Sequence, residues 1–468
     1  MRQDAYKVIL KYVSLVVLVV CHVSLFAYLW FSYYVPILII LRRHFFFWGN
    51  WAVVGLYFLF VIFFIRSFDG HKLVFLKARS TFVTHSLAVF FANVVAVLQS
   101  WVIGRYYFSI LPILLLTVVQ VFIIVIWSII IRRIYIHINK SVKIAVIHGA
   151  CAPNAFQAFL EKSNLHNEAL YKLSIFDIDK NESEVFDGIL AQNEIILYDL
   201  PSEKRNSLLK FCYENSKSVY ITPKISDILV SGAEKINLSD TPLLKVSRRG
   251  FSVEALFVKR VLDITLAIVG LVITSPILLI SAIIVKAYDG GSVFFKQERL
   301  TRNGKSFQII KFRSMREDSE AGGIQLAKQD DERITPFGKF MRATHLDELP
   351  QLINIIKGDM TFVGPRPERI ENIRKYEKII PEFRYRLVVK AGLTGYAQLY
   401  GRYNTTPYDK LKLDLEYIEK HSLLLDLKLI ILTVKTLFQR ENSMGVKEWQ
   451  EDALLDESYN EGKENKEV

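Results

Sequence analysis

Four long stretches without any charged side chain dominate the first 140 residues of this sequence. Each is long enough to cross a hydrocarbon layer of about 30 Å at about 1.5 Å per helical residue. They cover residues 12–41, 45–65, 80–104 and 106–131. Four such runs in succession are rare in soluble folds, so buried core helices are the weaker alternative. The first run is also too long for a signal-peptide core. We therefore predict an N-terminal bundle of four transmembrane helices over residues 1–140.

Basic residues mark which side of the membrane the ends of these runs face. The side shared by both ends of the bundle carries Arg2, Lys7, Lys11, Arg66, Lys72, Lys77, Arg79, Arg132, Arg133, Lys140 and Lys143. The opposite side carries only Arg42, Arg43 and Arg105. Because cytoplasmic loops are enriched in Lys and Arg, both ends are predicted to face the cytoplasm. The whole chain is basic, with a net charge of +12, which suits anionic partners such as phosphates or acidic lipid.

Residues 141–245 have a sequence pattern typical of a small soluble α/β domain. Apolar strand-like segments at 143–149, 171–176, 194–198 and 218–222 alternate with helical patterns such as 202–215. This alternation predicts a parallel, Rossmann-like sheet. After the first strand the chain offers only Gly149, where a dinucleotide site would need Gly-x-Gly-x-x-Gly. A structural or regulatory role without nucleotide is therefore favoured over nucleotide binding.

A fifth apolar run, residues 261–285, has basic residues on both flanks and contains one acid, Asp263. Two basic flanks both favour the cytoplasmic side. Ser275 and Pro276 lie in the middle of the run, where proline removes a backbone donor and kinks a helix. A serine hydroxyl can satisfy the freed carbonyl. We predict a re-entrant helix over 257–286 that bends at Ser275-Pro276, the alternative being a kinked helix that spans the membrane.

Adjacent carboxylates at Asp347 and Glu348 precede a helical pattern closed by Lys357-Gly358. Proline is tolerated in a first turn, so Pro350 predicts a helix that begins near Asp347. A helix N-terminus favours an ionised carboxylate, which can act as a nucleophile, and paired acids can hold Mg²⁺. A simple Asp N-cap explains the same geometry. Arginines on both sides of the pair favour a phosphate site, because their planar forks match phosphate oxygens.

Several motifs between residues 255 and 440 occur together in one order. They are Ser275-Pro276, Phe295-Lys-Gln-Glu-Arg299, Lys311-Phe-Arg-Ser-Met315, Leu346-Asp-Glu-Leu-Pro-Gln351, Gly358-Asp-Met360, Gly364-Pro-Arg-Pro367 and Gly392-Leu-Thr-Gly-Tyr-Ala-Gln398. With these motifs the sequence resembles the bacterial polyprenyl-phosphate phosphoglycosyl transferases of the monotopic superfamily. The four leading helices and the α/β domain resemble the long form of that family. The resemblance implies an α/β monotopic catalytic domain over residues 251–445.

The resemblance also implies a reaction and a set of site residues. A phosphosugar (glucose, galactose or an N-acetylated sugar) would move from a UDP-sugar to undecaprenyl phosphate, with release of UMP. Asp347 would be the nucleophile that carries a covalent phosphosugar, and Glu348 would help position Mg²⁺, the expected cofactor. Arg342 and Arg366 match the family's phosphate-binding arginines. Lys311 and Arg313, in a matching basic motif, are assigned to phosphate or substrate binding.

The remaining expectations concern setting and partners. The resemblance implies an enzyme of the bacterial inner membrane whose active site faces the cytoplasm and which starts exopolysaccharide, capsule or O-antigen chains. Membrane lipid, downstream glycosyltransferases and a second copy of the chain are expected partners, and nucleic acid is not. A catalytically inactive membrane regulator is the competing function. Residues 422–438 suit an interfacial helix or a core helix equally, and the acidic tail 449–468 is predicted to be disordered.

Overall fold

The structure is a computed structural model that describes ten segments of the chain. They are residues 2–43, 47–70, 78–138, 142–149, 156–157, 159–160, 171–247, 250–316, 333–401 and 405–437. The chain divides into two compact units, Met1–Val142 and Lys143–Val468. The tail 449–468 lies outside the described residues, so its predicted disorder stays a prediction.

The first unit consists of long apolar helices. They are α1 (Arg2–Leu29), which continues through a π-helical turn (Trp30–Tyr34) into α2 (Val35–Ile40), then α3 (Phe47–Ser67), α4 (Ala78–Gly104) and α5 (Leu111–Ile138). Each of the four predicted runs coincides with a helix that is long and apolar enough to cross a membrane. A membrane protein with N-terminal helices is therefore confirmed.

Helix α1 contacts α3 and α5, and α4 contacts the same two helices. Polar side chains join them in the interior. Tyr57 of α3 donates its hydroxyl to Asn93 Oδ1 of α4 (2.8 Å), and Asn93 Nδ2 donates to Thr117 Oγ1 and Gln120 Oε1 of α5 (both 2.8 Å). Lipid gives apolar helices no hydrophobic reason to associate, so such bonds and close packing hold them together.

The second unit begins with the α/β domain, and the predicted strands are confirmed. Its elements are β1 (Val142–His148), β2 (Tyr171–Asp177), α6 (Glu182–Ala191), β3 (Glu194–Tyr198), α7 (Ser202–Glu214), β4 (Ser218–Ile221) and α8 (Ile225–Ser231). The sheet order is β2-β1-β3-β4, and β3 pairs in parallel with both β1 and β4. Ala145, Ile147, Ile195 and Leu197 form its buried core. An exposed hairpin, β5 (Glu234–Leu238) and β6 (Thr241–Lys245), follows.

Helix α9 (Val253–Asp289) contains the fifth apolar run. The Ser252 hydroxyl caps its N-terminus by accepting from Ala255 N (3.2 Å), and Gly290, with φ +74°, ends it. The helix is not interrupted at Pro276. Proline leaves the carbonyl of Val272 without its helical donor, and the Ser275 hydroxyl donates to that oxygen (2.8 Å). The hydroxyl repair predicted from the sequence is therefore confirmed, whereas the re-entrant path stays a prediction.

Residues 294–437, which lie within the predicted catalytic domain, form short elements, some of which pack on α9. They are β7 (Phe294–Leu300), β8 (Ser306–Phe312), α10 (Pro336–Thr344), α11 (Gln351–Lys357), β9 (Met360–Val363), α12 (Ile370–Ile379), β10 (Ala391–Thr394), α13 (Tyr396–Tyr400), α14 (Pro407–Glu419) and α15 (Leu423–Leu437), with 3₁₀ turns at Arg302–Gly304, Leu346–Glu348 and Pro381–Val388. Strands β7 and β8 form an antiparallel hairpin, and β9 pairs with β10 in parallel. Helix α15 buries Leu429 and Leu432 and exposes Leu424, so one of its faces belongs to the core.

Candidate active site

The turn that carries the two acids differs from the helix start predicted at Asp347. Helix α10 ends where His345 adopts a left-handed conformation, with φ +56°. A single 3₁₀ turn, Leu346–Glu348, follows, and α11 begins only at Gln351. The i→i+3 bond from Glu348 N to His345 O (3.2 Å) fixes this turn. The prediction of a helix beginning near Asp347 is wrong, because the left-handed residue starts a separate tight turn before the helix.

Glu348 is held by two cations from different parts of the fold. Lys311, near the end of β8, donates from Nζ to Glu348 Oε1 (2.6 Å), and Arg366, just after β9, donates from Nη2 to the same oxygen (2.7 Å). Burial raises the pKa of Glu348, but the charges of Arg366 and Lys311 outweigh it and hold that pKa well below its usual range. Glu348 is therefore an anion that binds cations at neutral pH.

Asp347 lies beside this group and is only 8% exposed. Burial and the neighbouring charge of Glu348 raise the pKa of Asp347, while Lys311 and Arg342 oppose the rise. The expected lowering by a helix N-terminus is thus not found, since α11 starts later. Among the described residues, no hydrogen bond or ion pair engages the Asp347 carboxylate. It is a buried carboxylate free to meet an incoming group.

The other two predicted cations have different positions. Arg342, in the last turn of α10, is close enough to act on the charge of Asp347. Arg313 is 7% exposed and binds Asp289 at the end of α9, with Nη1 2.8 Å from Oδ2 and Nη2 on Oδ1. The structure therefore groups Lys311, Arg342 and Arg366 around the acids and gives Arg313 an ion pair with α9.

A second buried pair supports Arg366 and was missed from the sequence. Arg386 is 3% exposed, forms an ion pair with Asp414 of α14 (2.8 Å), and donates from Nη2 to the carbonyl oxygen of Arg366 (2.9 Å). No motif or spacing singles these residues out. Both lie in segments with several other charged residues, so their residue type does not distinguish them from charges at the surface.

The carboxylates are suited to Mg²⁺ only as a pair. Among the described residues, no three His, Cys, Asp or Glu side chains converge on a metal site. Mg²⁺ is commonly bound by one or two carboxylates together with substrate phosphates. Asp347 and the Oε2 atom of Glu348, which takes no part in the bonds from Lys311 and Arg366, match that donor set.

Comparison with known proteins gives a consistent picture. The family model described as "Bacterial sugar transferase" matches residues 254–440. An Aeromonas hydrophila UDP-N-acetylgalactosamine-undecaprenyl-phosphate N-acetylgalactosaminephosphotransferase is 38% identical over 39% of this chain and 44% of its own length. A UDP-glucose:undecaprenyl-phosphate glucose-1-phosphate transferase from Xanthomonas campestris pv. campestris is 35% identical over 53% of this chain and 54% of its own. The Caulobacter vibrioides enzyme of the same name is 36% identical over 40% of this chain and 71% of its own length.

Proposed function

This chain belongs to the bacterial sugar transferase family, and we propose that it transfers a phosphosugar from a UDP-sugar to undecaprenyl phosphate with release of UMP. Membership agrees with the resemblance drawn from the motifs. The chain spans about half the length of two of the relatives named above, at 44% and 54%. The activity, substrates and partners are therefore proposed here from the geometry of the site.

One observation carries the proposal: the buried Asp347 carboxylate, which has no hydrogen-bond or ion-pair partner among the residues that the structure describes, lies beside an acid that is neutralised by two cations. A diphosphate approaching a carboxylate meets strong charge repulsion. Lys311, Arg342 and Arg366 supply positive charge around that approach, and arginine binds phosphate oxygens through two parallel hydrogen bonds. Lys311 and Arg342 oppose the rise that burial and Glu348 cause in the pKa of Asp347, and they thereby favour its ionised, nucleophilic form.

The reaction proceeds in two displacements on one phosphorus atom. An Asp347 oxygen attacks the β-phosphorus of the UDP-sugar, the bond from that phosphorus to the oxygen bridging to the α-phosphate breaks, and UMP leaves with the bond's electron pair. A phosphate oxygen of undecaprenyl phosphate then attacks the same phosphorus and returns the carboxylate to Asp347. Two steps allow a water-soluble donor to leave before a lipid acceptor binds.

Mg²⁺ is proposed as the cofactor, held by Asp347 and Glu348 together with the donor's diphosphate. Bound there, it would neutralise charge that develops on the phosphate oxygens. Lys311 and Arg366 keep Glu348 ionised, so that its second oxygen remains an anionic ligand. Arg366 is 46% exposed and retains further N–H groups that can reach a phosphate.

We further propose that α9 is re-entrant and that the site lies on the cytoplasmic face of the inner membrane. Two buried clusters support this. Ala267, in the first half of α9, shares one cluster with Phe307 of β8, and Val285, in the second half, shares another with Phe312 of the same strand. A spanning helix would place its two ends on opposite sides of the bilayer, whereas both halves of α9 pack on one strand. Both ends of the transmembrane bundle are predicted to face the cytoplasm, so the residues that follow the bundle, including this site, are expected on the cytoplasmic side.

The transferred sugar is left open, because the relatives' names specify both N-acetylgalactosamine and glucose. Glucose, galactose and N-acetylated sugars remain the proposed set. Starting an exopolysaccharide, capsule or O-antigen chain is the proposed role, with downstream glycosyltransferases and a second copy of the chain as proposed partners. The inactive-regulator alternative is tested by the same experiment.

Purified chain in lipid nanodiscs is incubated with Mg²⁺ and each of a panel of UDP-sugars, with and without undecaprenyl phosphate. We expect UMP release with one or a few sugars and, without lipid, one phosphosugar on Asp347 by peptide mass spectrometry. Asp347→Asn should abolish both, whereas Glu371→Gln, an exposed acid on α12, should change neither. No UMP with any sugar and lipid would favour the regulator. UMP formed only with lipid, on an unmodified chain, would replace the covalent route by direct transfer.

A further inference from the structure

Four charged residues lie in the first three turns of α9, and residues 264–285 of the helix carry no charge. Three of the four, Lys259, Arg260 and Asp263, lie within one turn of each other. Lys259 and Asp263 are each 6% exposed. An acid in a helix that otherwise faces lipid is costly and needs compensating partners. All three side chains find those partners in the catalytic region rather than in water.

Asp263 binds the strand that leads to Arg366. Its Oδ2 accepts from the Thr361 hydroxyl (2.7 Å) and its Oδ1 accepts from Phe362 N (3.0 Å), both on β9. Strand β9 has β10 as its only strand partner among the described strands, so the two bonds to Asp263 are a second attachment of β9 to the rest of the fold. Val363 ends β9, and Arg366 comes three residues later.

The same part of α9 also holds the other half of the site. Arg260 donates from Nη1 and Nη2 to the carbonyl oxygens of Ile355 (2.6 Å) and Ile356 (2.7 Å), in the last turns of α11. These bonds cap carbonyls at the C-terminal end of the helix, where Ile355 O also accepts from Gly358 N (3.0 Å). Glu348 lies in the turn just before α11, and Arg366 lies just after β9. Because Arg260 binds α11 and Asp263 binds β9, these two residues of α9 together fix the spacing between Glu348 and Arg366.

A third bond closes this arrangement. Lys259 donates to Asp426 Oδ2 of α15 (2.6 Å). The Tyr417 hydroxyl lies 2.8 Å from Asp426 Oδ1 and 3.0 Å from the carbonyl oxygen of Val363. A second series of contacts, from Lys259 near the N-terminus of α9 through Asp426 and Tyr417, thus reaches the C-terminal end of β9.

We infer that Asp263 is a positioning residue: from within the membrane helix it fixes β9, and through β9 it sets the 2.7 Å contact of Arg366 with Glu348. The helix is then part of the frame of the active site as well as a membrane anchor. Leucine at this position would suit an anchor at least as well as aspartate does. The inference rests on the proposed function only for its activity measurement.

The test compares Asp263→Leu, which removes both acceptors, with Asp263→Asn. Asparagine can accept from Phe362 N and donate to the Thr361 hydroxyl, so its geometry is retained. Thr361→Val removes one bond without touching the helix. Thr265→Val is the matched control, because the Thr265 hydroxyl is exposed and bonds only to the backbone of its own helix, at Val261 O. All are measured as full chains in nanodiscs.

We expect Asp263→Leu to stay membrane-bound and to lower kcat at least about tenfold, the scale of one lost hydrogen bond of about 1.4 kcal/mol. Asp263→Asn should remain within about threefold of wild type, and Thr361→Val should fall between. Combined with Arg366→Lys, Asp263→Leu should add little further loss, because both act through the same arginine. Hydrogen exchange of amides 360–366 should rise in Asp263→Leu and not in the Thr265→Val control.

Equal impairment by leucine and asparagine, fully multiplicative losses in the double variant, or unchanged exchange at 360–366 in Asp263→Leu would each overturn the inference. If Asp263→Leu fails to fold, Thr361→Val decides the same point, since normal exchange and activity there would contradict it. Absence of UMP release from the wild-type chain would refute the proposed reaction, while the exchange measurement would still decide the role of Asp263.

Discussion

Replacing Arg366 by lysine separates charge from geometry at the proposed phosphate site. Arg366 uses one nitrogen for Glu348 and is 46% exposed, so its other N–H groups can face a ligand. Lysine keeps the charge but has a single nitrogen, which can bind either Glu348 or a phosphate well but does not form a planar fork. Lys311 already donates to the same Glu348 oxygen. The variant should therefore fold normally and bind phosphate poorly.

The expected magnitudes follow from these contacts. Stability should change by less than about 1 kcal/mol, because lysine keeps the positive charge on a half-exposed side chain and Lys311 still binds Glu348. Losing one charge-assisted bond to the transferring phosphoryl group costs about 1.5–3 kcal/mol, which lowers kcat/KM by roughly 10- to 160-fold. UMP release with lipid acceptor is the assay, with thermal unfolding in parallel. Arg384→Lys is the matched control. The Arg384 side chain is 69% exposed and also pairs with an acid, since its Nε lies 3.7 Å from Glu377 Oε1. Turnover of Arg366→Lys within about threefold of wild type would refute the assignment.

Three further predictions address topology, protonation and packing. With the native cysteines replaced, Leu256→Cys and Ser292→Cys should both resist membrane-impermeant thiol reagents in intact cells; periplasmic labelling of either would contradict the re-entrant path. Burial, against the opposing charge of Arg386, raises the pKa of Asp414 from 3.8 to about 6, so the folded state gains stability from the protonated form, and this gain is lost as pH rises through about 6. The wild-type stability relative to Asp414→Asn should therefore fall by on the order of 3 kcal/mol between about pH 4 and pH 7, and a difference in unfolding temperature that does not vary with pH would count against it. Gly392→Ala should abolish activity, because its Cβ would lie 2.1 Å from the backbone nitrogen of Gly364; wild-type turnover would show that β10 and the segment after β9 can move apart to admit a methyl group.

The membrane helices were predictable because the length of an uncharged run can be read from consecutive residues, without knowledge of tertiary contacts. The strands of the α/β domain were predictable for the same reason, since each is a short apolar segment between turn residues. The start of α11 was not. It depends on the left-handed His345, which separates the Asp347-Glu348 turn from the helix, and a single histidine gives no strong signal for that conformation.

The contacts within the site were beyond local reasoning. Lys311 lies on β8 and Arg366 follows β9, and only the assembled fold brings them to one oxygen of Glu348. Arg313 lies two residues from Lys311 in the same motif, yet it binds Asp289. Asp263 was visible as the one acid in an apolar run, but its partners on β9 are about 100 residues away in sequence. The residue types indicated which charged groups the site contains, whereas tertiary packing determined which of these groups contact each other.

The double attachment of Glu348 has a consequence for how the site handles an incoming anion. Because Lys311 and Arg366 bind the same oxygen, either cation alone leaves the carboxylate with a partner. In the proposed reaction Arg366, the more exposed of the two, would turn toward the donor's diphosphate while Lys311 keeps its bond to Glu348, so that no buried charge would be left without a partner. Lys311 would thus keep Glu348 in place each time the donor binds and leaves.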